Sequence, residues 1–308
     1  MMTISSINSI EPAATYVPCN LCGADDGRAL FEAGVAQVNR IVKCRSCGLM
    51  YSNPRARPAD HDMIKDYDPE MTRNVEAYDP GRFDKERMQV RDYDDTRDYL
   101  RSLYPQRGRL IELGCGMGFL LKAFSDDGWD VVGVEPDRGF CQFIEDQHGL
   151  AARAAILEES GIPDGSVDVV VFLHVIEHVP DPLETLRSIY RVLKPGGHLV
   201  METPRYDSLM FRLLGRRERS LSCNGHIYFF TSDTLRKLYE KAGFEHRQLR
   251  YVGRSLSLGR LAWNLGVMSK SQAVQKMLGR ASQALGLDRA HVRLNARDMQ
   301  RVVVQKPA

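Results

Sequence analysis

The chain lacks a decisive charge excess: its 42 lysines and arginines nearly balance 40 aspartates and glutamates, for a net charge of +2. A duplex nucleic-acid binder carries a clear basic surplus, so composition disfavours nucleic acid as the main partner. Long apolar runs are also missing. The most apolar stretch, Val167 to Ile176, is far too short to span a bilayer, and Met1 to Pro18 holds no basic segment followed by an apolar one. No transmembrane segment and a cytoplasmic location are the expectations. Low-complexity segments and internal repeats are absent apart from twin cysteine pairs, which excludes fibrous and solenoid architectures. At 308 residues, 43% hydrophobic and 27% charged, the chain suffices for one large α/β domain plus a small module.

Cysteine is present in a pattern. Of seven cysteines, four form two knuckles, Cys19-Asn20-Leu21-Cys22-Gly23 and Cys44-Arg45-Ser46-Cys47-Gly48. Each Cys-x-x-Cys-Gly turn lets two thiolates converge while glycine carries the backbone through the bend. Together Cys19, Cys22, Cys44 and Cys47 complete a closed tetrahedral shell for zinc. Such a shell keeps no open position, so its role is structural or substrate-presenting. The remaining Cys115, Cys141 and Cys223 are scattered, and reduced thiols with a metal fit better than disulfides.

Three regions follow from composition: residues 1–55 as a tail and zinc ribbon, closed by Asn53-Pro54 and Arg57-Pro58; 56–105 as a helical cap or linker carrying Tyr67, Tyr78, Tyr93 and Tyr99; and 106–308 as a large domain. In the large domain, Leu110 to Leu113, Val131 to Glu135, Val167 to Leu173 and Leu199 to Thr203 read as strands, and alternation with helices implies a parallel sheet. Phe119 to Asp127 and Asp181 to Leu193 read as helices, the second with Asp181 as N-cap, Pro182 in its first turn and Lys194-Pro195-Gly196-Gly197 as its stop. Thr231 to Ala242 is expected as a helix, Leu249 to Val252 and Arg301 to Val304 as strands, and Leu256 to Leu285 as a helical insertion.

The sharpest chemical signal is Glu112-Leu113-Gly114-Cys115-Gly116-Met117-Gly118, a glycine-rich strand-to-helix turn. Gly114, Gly116 and Gly118 let the backbone approach a nucleotide at a helix N-terminus. A dinucleotide fingerprint needs its third glycine one residue later, where Phe119 stands, and Glu112 would repel phosphates while suiting an ammonium or sulfonium group. Glu135 ends the second strand where a carboxylate can accept from ribose hydroxyls.

These residues resemble the class I S-adenosylmethionine-dependent methyltransferases. The resemblance runs over about residues 105–250, through Gly133-Val134-Glu135-Pro136, Asp164 to Asp168, Leu173 to Pro182, Leu193 to Gly197 and Gly225-His226-Ile227-Tyr228-Phe229-Phe230. It implies an α/β, Rossmann-like seven-stranded methyltransferase sheet with a small N-terminal zinc ribbon. It also implies that Glu112, Gly114 and Gly116 line the methionine end of the cofactor and Glu135 the ribose, while Leu157 and His174 flank adenine and methyl. One departure is plain: the family's third strand ends in an acid, and this chain offers Ala155-Ile156-Leu157.

On the acceptor side, His174, His226 and Tyr228 are the candidates for removing a proton from a hydroxyl or carbon acid. Leu173 to Pro182 is similar to the ubiquinone-type O-methyltransferases, in which acidic and histidine residues at matching positions are associated with a divalent ion; here these are His174, Glu177 and His178, with histidine in the acid's place. The arginines between Arg205 and Arg219 could hold an anionic acceptor. The cysteine module is similar to that of certain sugar C-methyltransferases. A small-molecule acceptor is therefore expected, with an rRNA base methyltransferase docking RNA through its ribbon as the alternative.

Overall fold

The computed structural model describes residues 15–32, 40–55, 90–218, 221, 225–259, 261–262, 269, 271–287 and 290–308. Most of the 56–105 cap, Trp263, Leu265, Val267, Met268, Lys270, Arg219 and Cys223 therefore lie outside the described residues.

Short valine-rich runs build the centre. β4 (Arg109–Leu113), β5 (Asp130–Val134), β6 (Ala152–Arg153), β7 (Val167–Leu173) and β8 (Leu193–Pro204) form a parallel sheet. β7 reads Val-Asp-Val-Val-Val-Phe-Leu and is almost wholly buried, as a strand covered on both faces must be. Two antiparallel strands, β10 (Glu245–Ser257) and β11 (His291–Gln305), extend it, giving the order β10-β11-β8-β7-β4-β5-β6. Seven strands with this crossover match the expected Rossmann-like sheet. The chain leaves β4 towards β5 and β6, then returns to β7 on β4's other side. The strand order thus reverses between β4 and β7, and ligands of open α/β sheets bind outside the carboxyl ends at such a point.

The helices between strands obey local rules. α1 (Asp94–Leu103) precedes β4, α2 (Phe119–Asp126) follows it, and α3 (Arg138–His148) is capped by the Asp137 side chain, which accepts from Gly139 N and Phe140 N. α4 (Pro182–Val192) carries Asp181 as N-cap, accepting from Glu184 N, and Pro182 in its first turn. α5 (Leu209–Leu214) follows β8, and α6 (Ser232–Lys241) starts at a capping box of Thr231 and Thr234. One apolar layer holds Leu110, Phe124, Trp129, Val131 and Ile144, and the opposite layer holds Ile111, Phe172, Ile189 and Leu235.

Two departures from expectation have a backbone cause. β10 and β11 run well beyond Leu249 to Val252 and Arg301 to Val304 because they pair with each other out to Ser257 opposite His291. That pairing satisfies backbone groups which the expected helix from Leu256 would have satisfied internally. Within the expected insertion, the long helix is α7 (Gln272–Ala284). Similarly, β8 already starts at Leu193, so Lys194 to Gly197 lie inside the strand's span, with Gly196 at φ 77°.

The cysteine region forms a second sheet from β1 (Gly27–Phe31), β2 (Ile41–Cys44) and β3 (Met50–Ser52). Its fourth strand comes from far along the chain: β9 (Tyr228–Phe229) pairs with β3, Tyr51 opposite Tyr228 and Met50 opposite Phe229. Cys19, Leu21, Val42, Leu49 and Tyr51 share a packed core with Ile176, Val179, Ile227, Tyr228 and Phe230. No helix among the described residues is long and apolar enough to cross a membrane.

Candidate active site

β4 ends at Leu113, and the turn to α2 uses left-handed backbone at Gly114 (φ 66°), Gly116 (φ 52°) and Gly118 (φ 73°). A Cβ on Gly114 would stand 2.4 Å from Val175 Cγ2, and one on Gly118 would stand 2.6 Å from Ile144 Cγ1. A Cβ on Gly116 would meet nothing within 4 Å, so the turn's open side lies there. Glu135, just past β5, reaches this turn: Gly116 N donates to its Oε2 at 2.9 Å and Asp137 N to its Oε1 at 3.1 Å. Glu112 is buried at the end of β4. Two carboxylates around an open glycine turn repel phosphates and suit a nucleoside bearing ammonium and sulfonium groups, so the residues fit S-adenosylmethionine. Leu157 opens a 3-10 turn and is packed in the core that also contains Val134 and Ile176.

Across the strand-order reversal, His174 follows β7 in left-handed backbone at φ 58°. Its N–H donates to Glu202 O at 2.8 Å. Its Nε2 lies 3.1 Å from Glu202 Oε1 and its Nδ1 3.8 Å from Glu177 Oε1. Burial opposes a charged imidazole, but the two carboxylates outweigh it and raise the pKa to about 9. His174 is consequently an imidazolium at neutral pH. Burial would likewise raise both carboxyls, yet the His174 hydrogen bonds and, for Glu202, Arg301 hold them down, Glu202 to about 2.

Sequence reading missed the support behind His174. Arg301, 3% exposed, donates through Nε to Oε2 of Glu202, itself 1% exposed, at 2.6 Å. Its remaining nitrogens reach Thr96 Oγ1 at 2.7 Å, Asp95 Oδ1 at 3.1 Å and Asp92 O at 3.1 Å. A signal existed: Glu202 and Arg301 are charges inside otherwise apolar strand runs, and such residues are rarely buried without a partner.

The structure gathers Glu177, His178 and His226, whose ligating atoms lie within 4.8 Å of one another. The trio differs from the expected His174, Glu177 and His178, because Glu202 engages the His174 ring while Gly225-His226 folds over the loop after β7. His178 Nδ1 lies 3.0 Å from Gly225 O, which suits an Nδ1–H tautomer with its lone pair on Nε2. His226 Nδ1 lies 3.5 Å from the Tyr206 hydroxyl, and the two imidazoles meet edge-on with centroids 4.6 Å apart. Thr203 Oγ1 donates to Glu177 Oε2 at 2.9 Å. Tyr228 is placed differently: its buried hydroxyl donates to Pro180 O at 3.1 Å and accepts from Arg55 at 3.0 Å. Burial raises its pKa.

In the cysteine clip, the Sγ atoms of Cys19 and Cys47 lie 3.4 Å apart and those of Cys22 and Cys44 3.5 Å apart, with all four within 4.8 Å. A tetrahedral ion with bonds of about 2.3 Å to sulfur spaces its ligands about 3.8 Å apart, so the donor set fits zinc. The knuckles are built alike: Gly23 N donates to Cys19 O and Gly48 N to Cys44 O, with both glycines in left-handed backbone.

Residues 83–249 match the model of the methyltransferase domain family. The ubiquinone biosynthesis O-methyltransferase of Ralstonia nicotianae is 30% identical over 179 residues, covering 54% of this chain and 75% of that protein. The protein of the same name from Ruegeria pomeroyi is 34% identical over 151 residues, covering 44% of this chain and 60% of its own length. A solved protein of Pyrococcus horikoshii OT3 superposes with a TM-score of 0.51 at 16% identity, over 78% of this chain and 99% of its own, a likeness of fold. The family model spans more than half of the chain and includes the strand and glycine turn that carry Glu112, Gly114 and Gly116. The chain belongs to the class I S-adenosylmethionine-dependent methyltransferases.

Proposed function

We propose that the chain methylates a small-molecule hydroxyl or carbon acid, with His226 as the group that takes the acceptor's proton. The observation carrying this reading is His226 held with Glu177 and His178 near the carboxyl ends of the sheet, beside the loop that brings Val175 against Gly114. S-adenosylmethionine, when bound, supplies a methyl group on a cationic sulfur that an aligned nucleophile can displace. In this reading Glu112, Gly114, Gly116 and Gly118 hold its amino-acid end, Glu135 its ribose, and Leu157 the adenine side. Alignment of two reactants in one site supplies much of the rate. His174 then acts as a charged donor, because an imidazolium between two carboxylates accepts no proton at neutral pH. Tyr228 acts through packing, since its hydroxyl serves Pro180 and Arg55.

Zinc on Cys19, Cys22, Cys44 and Cys47 is structural in this proposal. The trio of Glu177, His178 and His226 also suits a divalent ion that would lower the acidity constant of a bound hydroxyl, consistent with relatives named for O-methylation. Exposed Arg212 and Arg216 offer an anionic acceptor a counter-charge. RNA as acceptor is disfavoured, because Asn20 and Leu21 of the first knuckle are engaged by Asp181 and Lys241 instead of facing outward together.

Calorimetry with S-adenosylmethionine, followed by labelled-methyl transfer to a metabolite extract and to total RNA, tests the proposal. Label is expected in small molecules, and His226→Ala should abolish it with cofactor affinity retained. Label confined to RNA, or full transfer by His226→Ala, would overturn it.

A further inference from the structure

We infer that Asn20, on the first cysteine knuckle, is a positioning residue for the Glu177, His178 and His226 cluster, so that the cysteine clip sets the acceptor side from behind. The inference rests on reading that cluster as the acceptor side.

Asn20 uses both halves of one amide. Its Nδ2 donates to Asp181 Oδ1 at 2.7 Å, and its Oδ1 accepts from Leu183 N at 3.1 Å. Leu183 N is among the helix-start donors that lack an intrahelical acceptor, and Asp181 Oδ1 also receives Glu184 N at 3.0 Å. Asn20 therefore fixes the start of α4, four residues beyond Glu177. The same loop is held at Pro180 O by Tyr228 at 3.1 Å.

The second segment of the cluster is held in the same way. Ser52 N, at the end of β3, donates to Ile227 O at 2.9 Å, next to His226. Ile227 N and Tyr228 N donate in turn to Glu177 O at 2.9 and 3.1 Å, so both segments lock onto each other and onto the clip. Lys241 of α6 reaches Leu21 O at 2.5 Å and ties the knuckle to the large domain again. The cofactor cradle uses other partners: Gly114 N donates to Val134 O and Gly116 N to Glu135. Loosening the clip should thus disturb the acceptor segments and spare the cradle.

Asn20→Ala keeps all four cysteines and removes only the amide. Asn20→Asp combined with Asp181→Asn exchanges donor and acceptor and can remake the three hydrogen bonds. Amide hydrogen exchange should rise about tenfold at Leu183, Ile227 and Tyr228 in Asn20→Ala, with one zinc per chain and S-adenosylmethionine affinity within about twofold. The exchanged pair should restore protection. Chelation of zinc from the wild-type protein should loosen the same amides, and added zinc should reverse it. Unchanged exchange at Ile227 and Tyr228, failure of the exchanged pair to rescue, or equal loosening of β4, β5 and cofactor binding would overturn the inference. The readout needs no acceptor: confirmed coupling with active His226→Ala would sink only the acceptor reading.

Discussion

Replacing Arg301 by methionine removes the cation that neutralises Glu202 inside the sheet. Both side chains are nearly inaccessible, at 3% and 1%, and Arg301 gives up hydrogen bonds to Glu202, Asp95, Thr96 and Asp92 O together with a guanidinium stacked 4.6 Å from the Tyr93 ring centroid. Leaving one member of a buried pair uncompensated costs about 3–5 kcal/mol. His174 remains on the other oxygen of Glu202, which favours the lower end, about 3 kcal/mol. At about 2–4 °C per kcal/mol for a domain of this size, Tm should fall by about 6–12 °C. Urea unfolding followed by tryptophan fluorescence, with Trp129 buried against Phe124, measures the loss. The double variant Arg301→Met with Glu202→Gln removes the stranded charge and should recover more than half of it. A single variant within about 1 kcal/mol of wild type, or a double variant less stable than the single, would refute the reasoning.

The same network predicts a pH dependence. His174 has its pKa raised to about 9 from 6.5, so its stabilising contribution is whole below pH 6.5 and is lost as pH rises through 9. Glu202 is depressed from 4.5 to about 2, so its contribution is present above pH 4.5 and lost on acidification towards 2. Denaturation midpoints between pH 6 and 10 should slope downward in wild type and flatten in His174→Gln; parallel curves would contradict the pairing. At the cradle, Gly114→Ala forces a Cβ to 2.4 Å from Val175 and should destabilise the fold, whereas Gly116→Ala meets open space, should fold with about 1–2 kcal/mol of backbone strain, and should bind S-adenosylmethionine at least tenfold more weakly. Wild-type affinity in Gly116→Ala would place the cofactor elsewhere.

Local signals were legible where a residue's job is local. Asp181 and Pro182 announce a helix start, the knuckle glycines announce their turns, and Gly114 to Gly118 announce a backbone that no side chain can line. Partners chosen across the sheet were not. His174 looks like a candidate base in a loop, and only folding brings Glu202 and Glu177 against it and turns it into a stable cation. Tyr228 stands two residues after His226, yet its hydroxyl is directed to Arg55 and Pro180 because its backbone completes a strand ladder with Tyr51. The ends of β10 and β11 were underestimated for a related reason, since pairing between distant strands overrides the helical preference of the leucines and alanines near residue 256.

The pairing of β3 with β9 also bears on synthesis. Tyr51 leaves the ribosome 177 residues before its partner Tyr228. At about 5–20 residues per second, that leaves the β3 edge exposed for roughly 9–35 s. For that interval the nascent chain shows an open strand edge, with Tyr51, Met50 and Leu49 uncovered, and edges of this kind recruit other chains. The newborn protein therefore passes through a window of self-association that closes only when translation passes residue 229.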